Sequence, residues 1–287
     1  MQRTDPIIKP VRSELSVPAS DPRKIARGLA SAADALFLDL EDSVAPAQKE
    51  VARDAVITAL ADPGWGERDR TCRINPVSTA LCYRDIIALV EYAGEWLDRL
   101  VVPKVQTPAD VHFVDRLLTQ LEIGTGRSQR PVRLEIQIED PVGLREIHAI
   151  AASSSRIDLL TFGQGDFAAA AGIPAVDIGL ADEWDAAING DRWLLPRQTI
   201  IFAAAAAGQR ALNGSYADFR DHSGFRAYCR MSRALGFAGT WCIHPDQIAI
   251  ASEVFAPNAI ELERARQVIA RMTDSQSSGA AAFAMDG

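Results

Sequence analysis

Short apolar, β-branched runs recur along the chain, separated by stretches whose apolar residues return at helical spacing. This alternation predicts βα units around a parallel sheet. Eight runs can be counted: Leu15-Ser16-Val17, Ala35–Leu40, Thr71–Ile74, Leu100–Val105, Val132–Ile138, Ile157–Phe162, Arg210–Leu212 and Gly239–Ile243. Between most of them the spacing predicts a helix, as over Pro22–Ala30, Ala47–Leu60, Tyr83–Tyr92, Pro108–Leu121, Val142–Ala152 and Pro196–Ala207. Eight strands alternating with helices predict a closed parallel (β/α)8 TIM barrel. The first and seventh runs are weakly patterned, which leaves an open doubly wound sheet as the alternative. No G-x-G-x-x-G follows any run to support the dinucleotide binding of such sheets.

The tail Thr273-Asp274-Ser275-Gln276-Ser277-Ser278-Gly279 is polar and turn-rich, and reads as a linker leading out of the barrel. The expected division is therefore a catalytic barrel over residues 1–272 and a short C-terminal extension over 273–287, in which Ala280–Gly287 is too short to fold alone.

Composition narrows the function classes. With 287 residues, 48% of them apolar and 24% charged, the chain has material for one sizeable core. A net charge of −8 offers no basic face for a nucleic acid. No uncharged apolar run is long enough to cross a bilayer, and Met1–Val11 has no secretory h-region, so a cytoplasmic protein without membrane partners is expected. Cys72, Cys82, Cys229 and Cys242 lie far apart with no C-x-x-C spacing and no histidine cluster, which suggests buried free thiols rather than a zinc site.

In a (β/α)8 barrel the chemistry gathers at the C-terminal ends of the strands. Several runs end in charge there: Asp39, Glu41 and Asp42; Arg73 and Asn75; Lys104; Glu139-Asp140; Asp166; and His244-Pro245. An isolated buried charge costs several kcal/mol, so side chains of both signs converging on one mouth are better explained as a site than as accidents. Glu139 and Asp166 terminate neighbouring strands and supply hard oxygen ligands of the kind Mg2+ takes. For Glu139 the plainer alternative is a carboxylate satisfied by backbone N–H groups at the helix start near Pro141. Arg73 could grip a carboxylate in two-pronged fashion, or be a structural ion pair to Asp39 or Glu41. Lys104, near several carboxylates, would stay protonated and be a poor Schiff-base nucleophile, which favours a structural or electrostatic role. His244 is oriented by the following proline, or is a core histidine bonded to backbone.

The residues also carry a resemblance. Arg12-Ser13-Glu14-Leu15-Ser16-Val17-Pro18-Ala19-Ser20 followed by Phe37-Leu38-Asp39-Leu40-Glu41-Asp42-Ser43-Val44-Ala45-Pro46 resembles the opening of the HpcH/HpaI aldolase and citrate lyase beta-subunit-like family. Arg73-Ile74-Asn75-Pro76, Val102-Pro103-Lys104-Val105, Ile138-Glu139, Phe162-Gly163-Gln164-Gly165-Asp166-Phe167 and Cys242-Ile243-His244-Pro245-Asp246-Gln247-Ile248 continue it in family order. The resemblance implies a barrel that binds Mg2+ and makes or breaks the bond between a 2-oxo acid and an acyl-CoA enolate. The thioesters are of the malyl-CoA, citramalyl-CoA or citryl type. It implies Glu139 and Asp166 as metal ligands, Arg73 as the clamp on the oxo acid, Arg23 and Arg27 at the CoA phosphates, and Ile243 and His244 along the substrate pocket. A homo-oligomer, trimer or hexamer, is implied as well. Family members commonly continue past a segment like Ala282-Phe283-Ala284-Met285-Asp286-Gly287 to an aspartate that reaches a neighbouring subunit's site, and the sequence stops before that position. A metal-dependent aldolase on free 4-hydroxy-2-oxo acids and a catalytically silent CoA-ester-binding barrel are the alternatives to a lyase.

Overall fold

The computed structural model describes residues 9–127, 130–188 and 190–277. Contacts gather Met1–Phe255 into one compact unit and Ala256–Gly287 into a second. The first unit carries the strands β1 (Ser13–Pro18), β2 (Ala35–Asp39), β3 (Thr71–Arg73), β4 (Arg99–Val102), β5 (Arg133–Ile138), β6 (Ile157–Phe162), β7 (Arg210–Asn213) and β8 (Gly239–Cys242). Its helices are α1 (Pro22–Leu29), α2 (Lys49–Leu60), α3 (Cys82–Ala93), α4 (Pro108–Gly124), α5 (Pro141–Arg145), α6 (Ile147–Ala151), α7 (Gln164–Ala171), α8 (Glu183–Ala187), α9 (Leu194–Ala206), α10 (His222–Leu235) and α11 (Pro245–Phe255). The second unit contains α12 (Ala259–Ser277).

All eight strands pair in parallel with their sequence neighbours, and β1 closes on β8 through the register Ser13–Thr240, Glu14–Trp241 and Leu15–Cys242. The closed (β/α)8 barrel is thus the observed architecture, and the open sheet is not. Side chains alternate across each strand. Leu36 and Leu38 of β2 join the layer between sheet and helices, whereas Phe37 packs inside with Val101, Leu159, Leu212 and Trp241. The same alternation turns Asp39 and Arg73 inward at the strands' C-terminal ends. The four cysteines are free and buried.

Three stretches differ from the pattern-based reading. The helix expected over Val142–Ala152 is two short ones, because Glu146 (φ −90°, ψ 4°) leaves helical geometry between α5 and α6. The fourth strand stops at Val102, since Pro103 has no N–H for the ladder and Lys104 adopts a φ of 55°. Thr273–Ser277, read from composition as linker, continue α12: glutamine is a good helix former, and serine, threonine and aspartate are mediocre ones that do not break a helix. The segment 280–287 lies outside the described residues. Among the described residues no helix is long and apolar enough to cross a membrane.

The N-terminal end of the barrel is held by ion pairs. Arg99, almost fully buried, donates to Asp158 at 3.1 and 2.8 Å and to Asp69 at 3.1 Å, and Arg133 lies 2.6 Å from Asp69 and 2.8 Å from Asp158. Lys9 adds a third cation, 2.9 Å from Asp69. Burial alone would raise the Asp69 carboxyl, but Arg99, Arg133 and Lys9 outweigh it and lower its pKa from 3.8 to about 2. A depressed carboxyl stabilises the fold fully above its unfolded pKa, and that contribution disappears as pH falls toward the folded value. We expect Asp69→Asn to lower the thermal midpoint at neutral pH, with the gap to the parent protein narrowing between pH 3.8 and about 2; the contribution at stake is about 2 kcal/mol. Parallel curves through that window would contradict the assignment.

Gly239 opens β8 against Val11: a Cβ there would collide with the Val11 carbonyl oxygen and the adjoining backbone, which cannot move aside as a side-chain tip could. Gly239→Ala should cost about 1–3 kcal/mol in denaturant unfolding. Gly124→Ala, in open space at the end of α4, should stabilise by about 0.5–1 kcal/mol.

Candidate active site

The mouth of the barrel is a cavity of about 710 Å3 lined by Asp39, Asp42, Arg73, Glu139 and Asp166 together with Ser16, Gln137, Gly163, Trp241 and Ile243. Strand alternation explains much of this list. In β5 the inward positions Glu135, Gln137 and Glu139 follow at period two, so Gln137 shares the face of Glu139 and donates to its Oε1 at 2.6 Å. Period two within that otherwise apolar strand was the signal that could have found Gln137, which reading only strand ends overlooks.

Glu139 is not a helix cap. The capping carboxylate is Asp140, whose Oδ1 accepts from the Gly143 N–H at 2.7 Å and starts α5. Glu139 is freed to point into the mouth, where its Oε2 accepts from the Lys104 N–H at 2.9 Å. Lys104 is the one non-glycine with positive φ among the described residues, a strain of about 1–3 kcal/mol that directs its N–H at Glu139. On the other side Gly163 leaves the room Glu139 occupies, since a Cβ there would lie 2.5 Å from Glu139 Cγ. Burial, with Glu41 and Asp166 nearby, pushes the Glu139 carboxyl up to about 8 in spite of Arg73.

Arg73 is a structural ion pair and also a mouth residue. Its Nε and Nη2 each donate at 2.7 Å to one oxygen of the fully buried Asp39, and Nη1 lies 3.1 Å from Glu41. The guanidinium carbon sits 5.7 Å from the Phe37 ring and 5.5 Å from the Trp241 ring. Burial works against the charge of Arg73, but Asp39 and Glu41 hold it above the ordinary range. Burial likewise works against ionised Asp39, and Arg73 with the Ser43 and Glu41 N–H groups lowers its pKa regardless. The two-pronged edge of Arg73 is therefore spent on Asp39, and its Nη1 side is shared with Glu41.

The Lys104 ammonium lies 2.5 Å from Glu41, 3.2 Å from Asp42 and 3.0 Å from Asp166. Despite partial burial, Glu41 and Asp166 hold it above its ordinary value, so it stays a cation and is no amine nucleophile. Asp166 stands in the first turn of α7, just past β6. Its Oδ2, shielded from water, has the Lys104 ammonium as its neighbour. A carboxylate that faces only this one cation, beside a second carboxyl that burial holds protonated, keeps oxygen lone pairs of the kind a hard cation takes. Among the described residues no three His, Cys, Asp or Glu side chains group as a closed metal cage. Glu139 and Asp166 thus fit an ion such as Mg2+, which takes one or two carboxylates and fills its other positions with water and substrate oxygens.

The remaining expected residues are spread around this centre. Ile243 lines the cavity, while His244 stands beside it with its ring stacked on Phe219 at 4.4 Å and its Nδ1 accepting from the Asp246 N–H at 3.3 Å. Arg23 and Arg27 are exposed on α1, the helix that follows β1, and neither lines the cavity. Arg23 is 3.5 Å from Asp21, the N-cap of α1.

Known proteins share this sequence and barrel. The family profile described as HpcH/HpaI aldolase/citrate lyase matches residues 12–245. The L-malyl-CoA/beta-methylmalyl-CoA lyase of Cereibacter sphaeroides is 38% identical over 98% of this chain and 90% of its own length. Human mitochondrial citramalyl-CoA lyase is 30% identical over 97% of this chain and 80% of its own. Among solved structures, protein CitE from Mycobacterium tuberculosis in complex with magnesium, acetoacetate and coenzyme A superposes with a TM-score of 0.70 at 30% identity, covering 98% of this chain and 92% of that one. The chain belongs to the HpcH/HpaI aldolase/citrate lyase family and is a carbon–carbon lyase of it.

Proposed function

We propose that the protein is a Mg2+-dependent lyase that reversibly cleaves a 3-hydroxyacyl-CoA of the malyl-CoA or citramalyl-CoA type into an acyl-CoA and a 2-oxo acid. The observation that carries this reading is the juxtaposition of Glu139, Asp166 and Arg73 in one mouth. It is supported by relatives named for those thioesters and by a structural neighbour whose complex contains magnesium and coenzyme A.

In this reading Glu139 and Asp166 hold the ion, which when bound supplies a Lewis acid for the 2-oxygen of the hydroxy acid. Arg73, anchored by Asp39, turns the Nη1 side that also meets Glu41 to the substrate carboxylate and fixes the bond to be broken relative to the thioester. Gln137 and the Lys104 N–H keep Glu139 oriented. Lys104 balances Glu41, Asp42 and Asp166, so that the mouth can admit a carboxylate-bearing substrate as charge builds on the thioester oxygen. Ile243 packs along the substrate, and the exposed Arg23 and Arg27 reach the CoA phosphates. The barrel acts as a homo-oligomer, trimer or hexamer, in the cytoplasm.

The direct test follows 2-oxo acid release from malyl-CoA and citramalyl-CoA with Mg2+ present and after chelation. We expect Mg2+-dependent release of glyoxylate or pyruvate with both carbon products recovered. Hydrolysis of the thioester alone, condensation of free pyruvate with an aldehyde without any thioester, or no turnover would each overturn the proposal. Glu139→Gln and Asp166→Asn should each lower kcat/KM by about a hundredfold or more and weaken Mg2+ binding in calorimetry. Unchanged ion affinity in either variant would refute its role as ligand.

Arg73→Lys should lose about a hundredfold in kcat/KM, because an ammonium cannot chelate Asp39 and still present a planar edge. Lys104→Met should lose less in kcat/KM than Arg73→Lys, with part of its effect read as lowered thermal stability. The reverse ranking would show that Lys104, not Arg73, meets the substrate.

A further inference from the structure

Gln164 opens α7 between the two acids of the mouth. It follows Gly163, the glycine that abuts Glu139, and precedes Asp166 by two residues. It is 2% exposed and is one of the residues that line the mouth. The way its carboxamide faces is settled from behind by Arg197 of α9, itself almost fully buried. Arg197 Nη2 donates to Gln164 Oε1 at 2.8 Å, while Nη1 donates to Asp191 at 2.5 Å. A guanidinium carries donors only, so the amide oxygen must turn to it and the amino group Nε2 is turned away from it.

That amino group donates to nothing among the described residues, since the amide's one hydrogen bond is made by its oxygen. It is also not sealed from solvent, as Arg197 Nε and the Trp193 indole N–H behind it are. A donor in so buried a residue is costly to leave unmet, so its opening onto the mouth is an opening onto an acceptor. The acids of the mouth do not serve as that acceptor. Glu139 accepts from Gln137 and the Lys104 N–H, Asp39 is chelated by Arg73, and Asp166 faces the Lys104 ammonium. The two cations are likewise engaged, Arg73 with Asp39 and Glu41, Lys104 with Glu41, Asp42 and Asp166. A carboxylate or carbonyl entering the mouth thus finds their donors partly taken, whereas Gln164 holds N–H groups that no protein acid claims.

We propose that Gln164 is a substrate-binding residue, its Nε2 amino group held toward the mouth by Arg197 and donating to an oxygen of the 2-oxo acid bound beside Asp166. The inference rests on the reading of the mouth as a 2-oxo acid site. Position favours the oxo acid over the thioester: Gln164 and Asp166 share the first turn of α7, whereas Arg23 and Arg27, assigned to the CoA phosphates, follow β1, which β7 and β8 separate from β6. Arg197 is then a positioning residue, acting on the substrate only through the amide it orients. A neutral donor also suits this place, because it grips an anionic ligand without disturbing the charges that Arg73 and Lys104 already balance.

The test measures binding of pyruvate and glyoxylate to the full-length, Mg2+-loaded protein by calorimetry, together with the separate KM values of oxo acid and acyl-CoA in the condensation direction. Gln164→Glu keeps an oxygen for Arg197 and replaces only the amino group. We expect it to weaken oxo-acid binding by about tenfold or more and to raise the oxo-acid KM in parallel. The acyl-CoA KM should stay within about twofold and the thermal midpoint should not fall. Gln164→Met, which removes the amide altogether, should weaken oxo-acid binding equally but lower the midpoint as well, since Arg197 loses an acceptor; if it does not fold, Gln164→Glu carries the test alone. Unchanged oxo-acid affinity in the variants, or a rise in KM shared equally by the acyl-CoA, would overturn the role of Gln164 and leave the lyase reading standing. A parent protein that binds neither oxo acid with Mg2+ present would overturn both.

Discussion

Five carboxyl groups, Asp39, Glu41, Asp42, Glu139 and Asp166, crowd the barrel mouth around the two side-chain cations Arg73 and Lys104. That imbalance is the constraint on which the rest of the site depends. Carboxylates at such separations cannot all remain ionised in a partly dry cavity unless positive charge is brought to them. The protein meets part of the demand internally, with Asp39 ionised by chelation of Arg73 and Glu41 shared between Arg73 and Lys104. The remainder shows as a carboxyl held protonated up to about 8 at Glu139 and as an Asp166 whose cation, Lys104, is shared with Glu41 and Asp42. A mouth left in that condition by its own side chains is completed by what binds there.

Delivering those groups to one place is the work of the fold. Period-two alternation brings Asp39, Arg73 and Glu139 inward from β2, β3 and the end of β5. Local devices then refine the geometry. Asp140 takes over the helix cap so that Glu139 does not, Gly163 leaves the volume Glu139 fills, and the left-handed Lys104 turns its N–H to the same carboxylate. Three neighbouring segments thus hold one acid, an economy consistent with a group whose position must not drift.

Much of this was legible in the amino-acid order, and the gaps have physical causes. The strands announce themselves because barrel strands are buried on both faces, and so read as apolar runs; even the weakly patterned Leu15-Ser16-Val17 and Arg210–Leu212 pair as β1 and β7. Charge at strand ends pointed correctly to the mouth. The break at Glu146 was not legible, since glutamate is a good helix former and only tertiary packing separates α5 from α6. For Arg73, clamp and structural ion pair stood as alternatives, and the guanidinium proves to meet both Asp39 and Glu41 while lining the mouth, a meeting that the order of residues does not reveal.

Beneath the mouth, the barrel repeats the same electrostatic logic with a different outcome. Glu14 and Glu135 are both fully buried in the interior; burial, and Glu135 beside it, push the Glu14 carboxyl far up, so it is neutral, while Glu135 accepts from Thr161 at 2.6 Å and from the Trp241 indole at 3.1 Å. Arg99 there gives its Nε and Nη2 to Asp158 and Asp69 at the closed end. Phe37, Val101, Leu159, Leu212 and Trp241 form the apolar interior around them. Trp241 faces both ways, donating to Glu135 below while its ring lies 5.5 Å from the Arg73 guanidinium above. The indole therefore links the mouth arginine to a carboxyl that solvent never reaches, so the geometry of the mouth rests on the barrel interior as well as on the loops that hold Glu139 and Asp39.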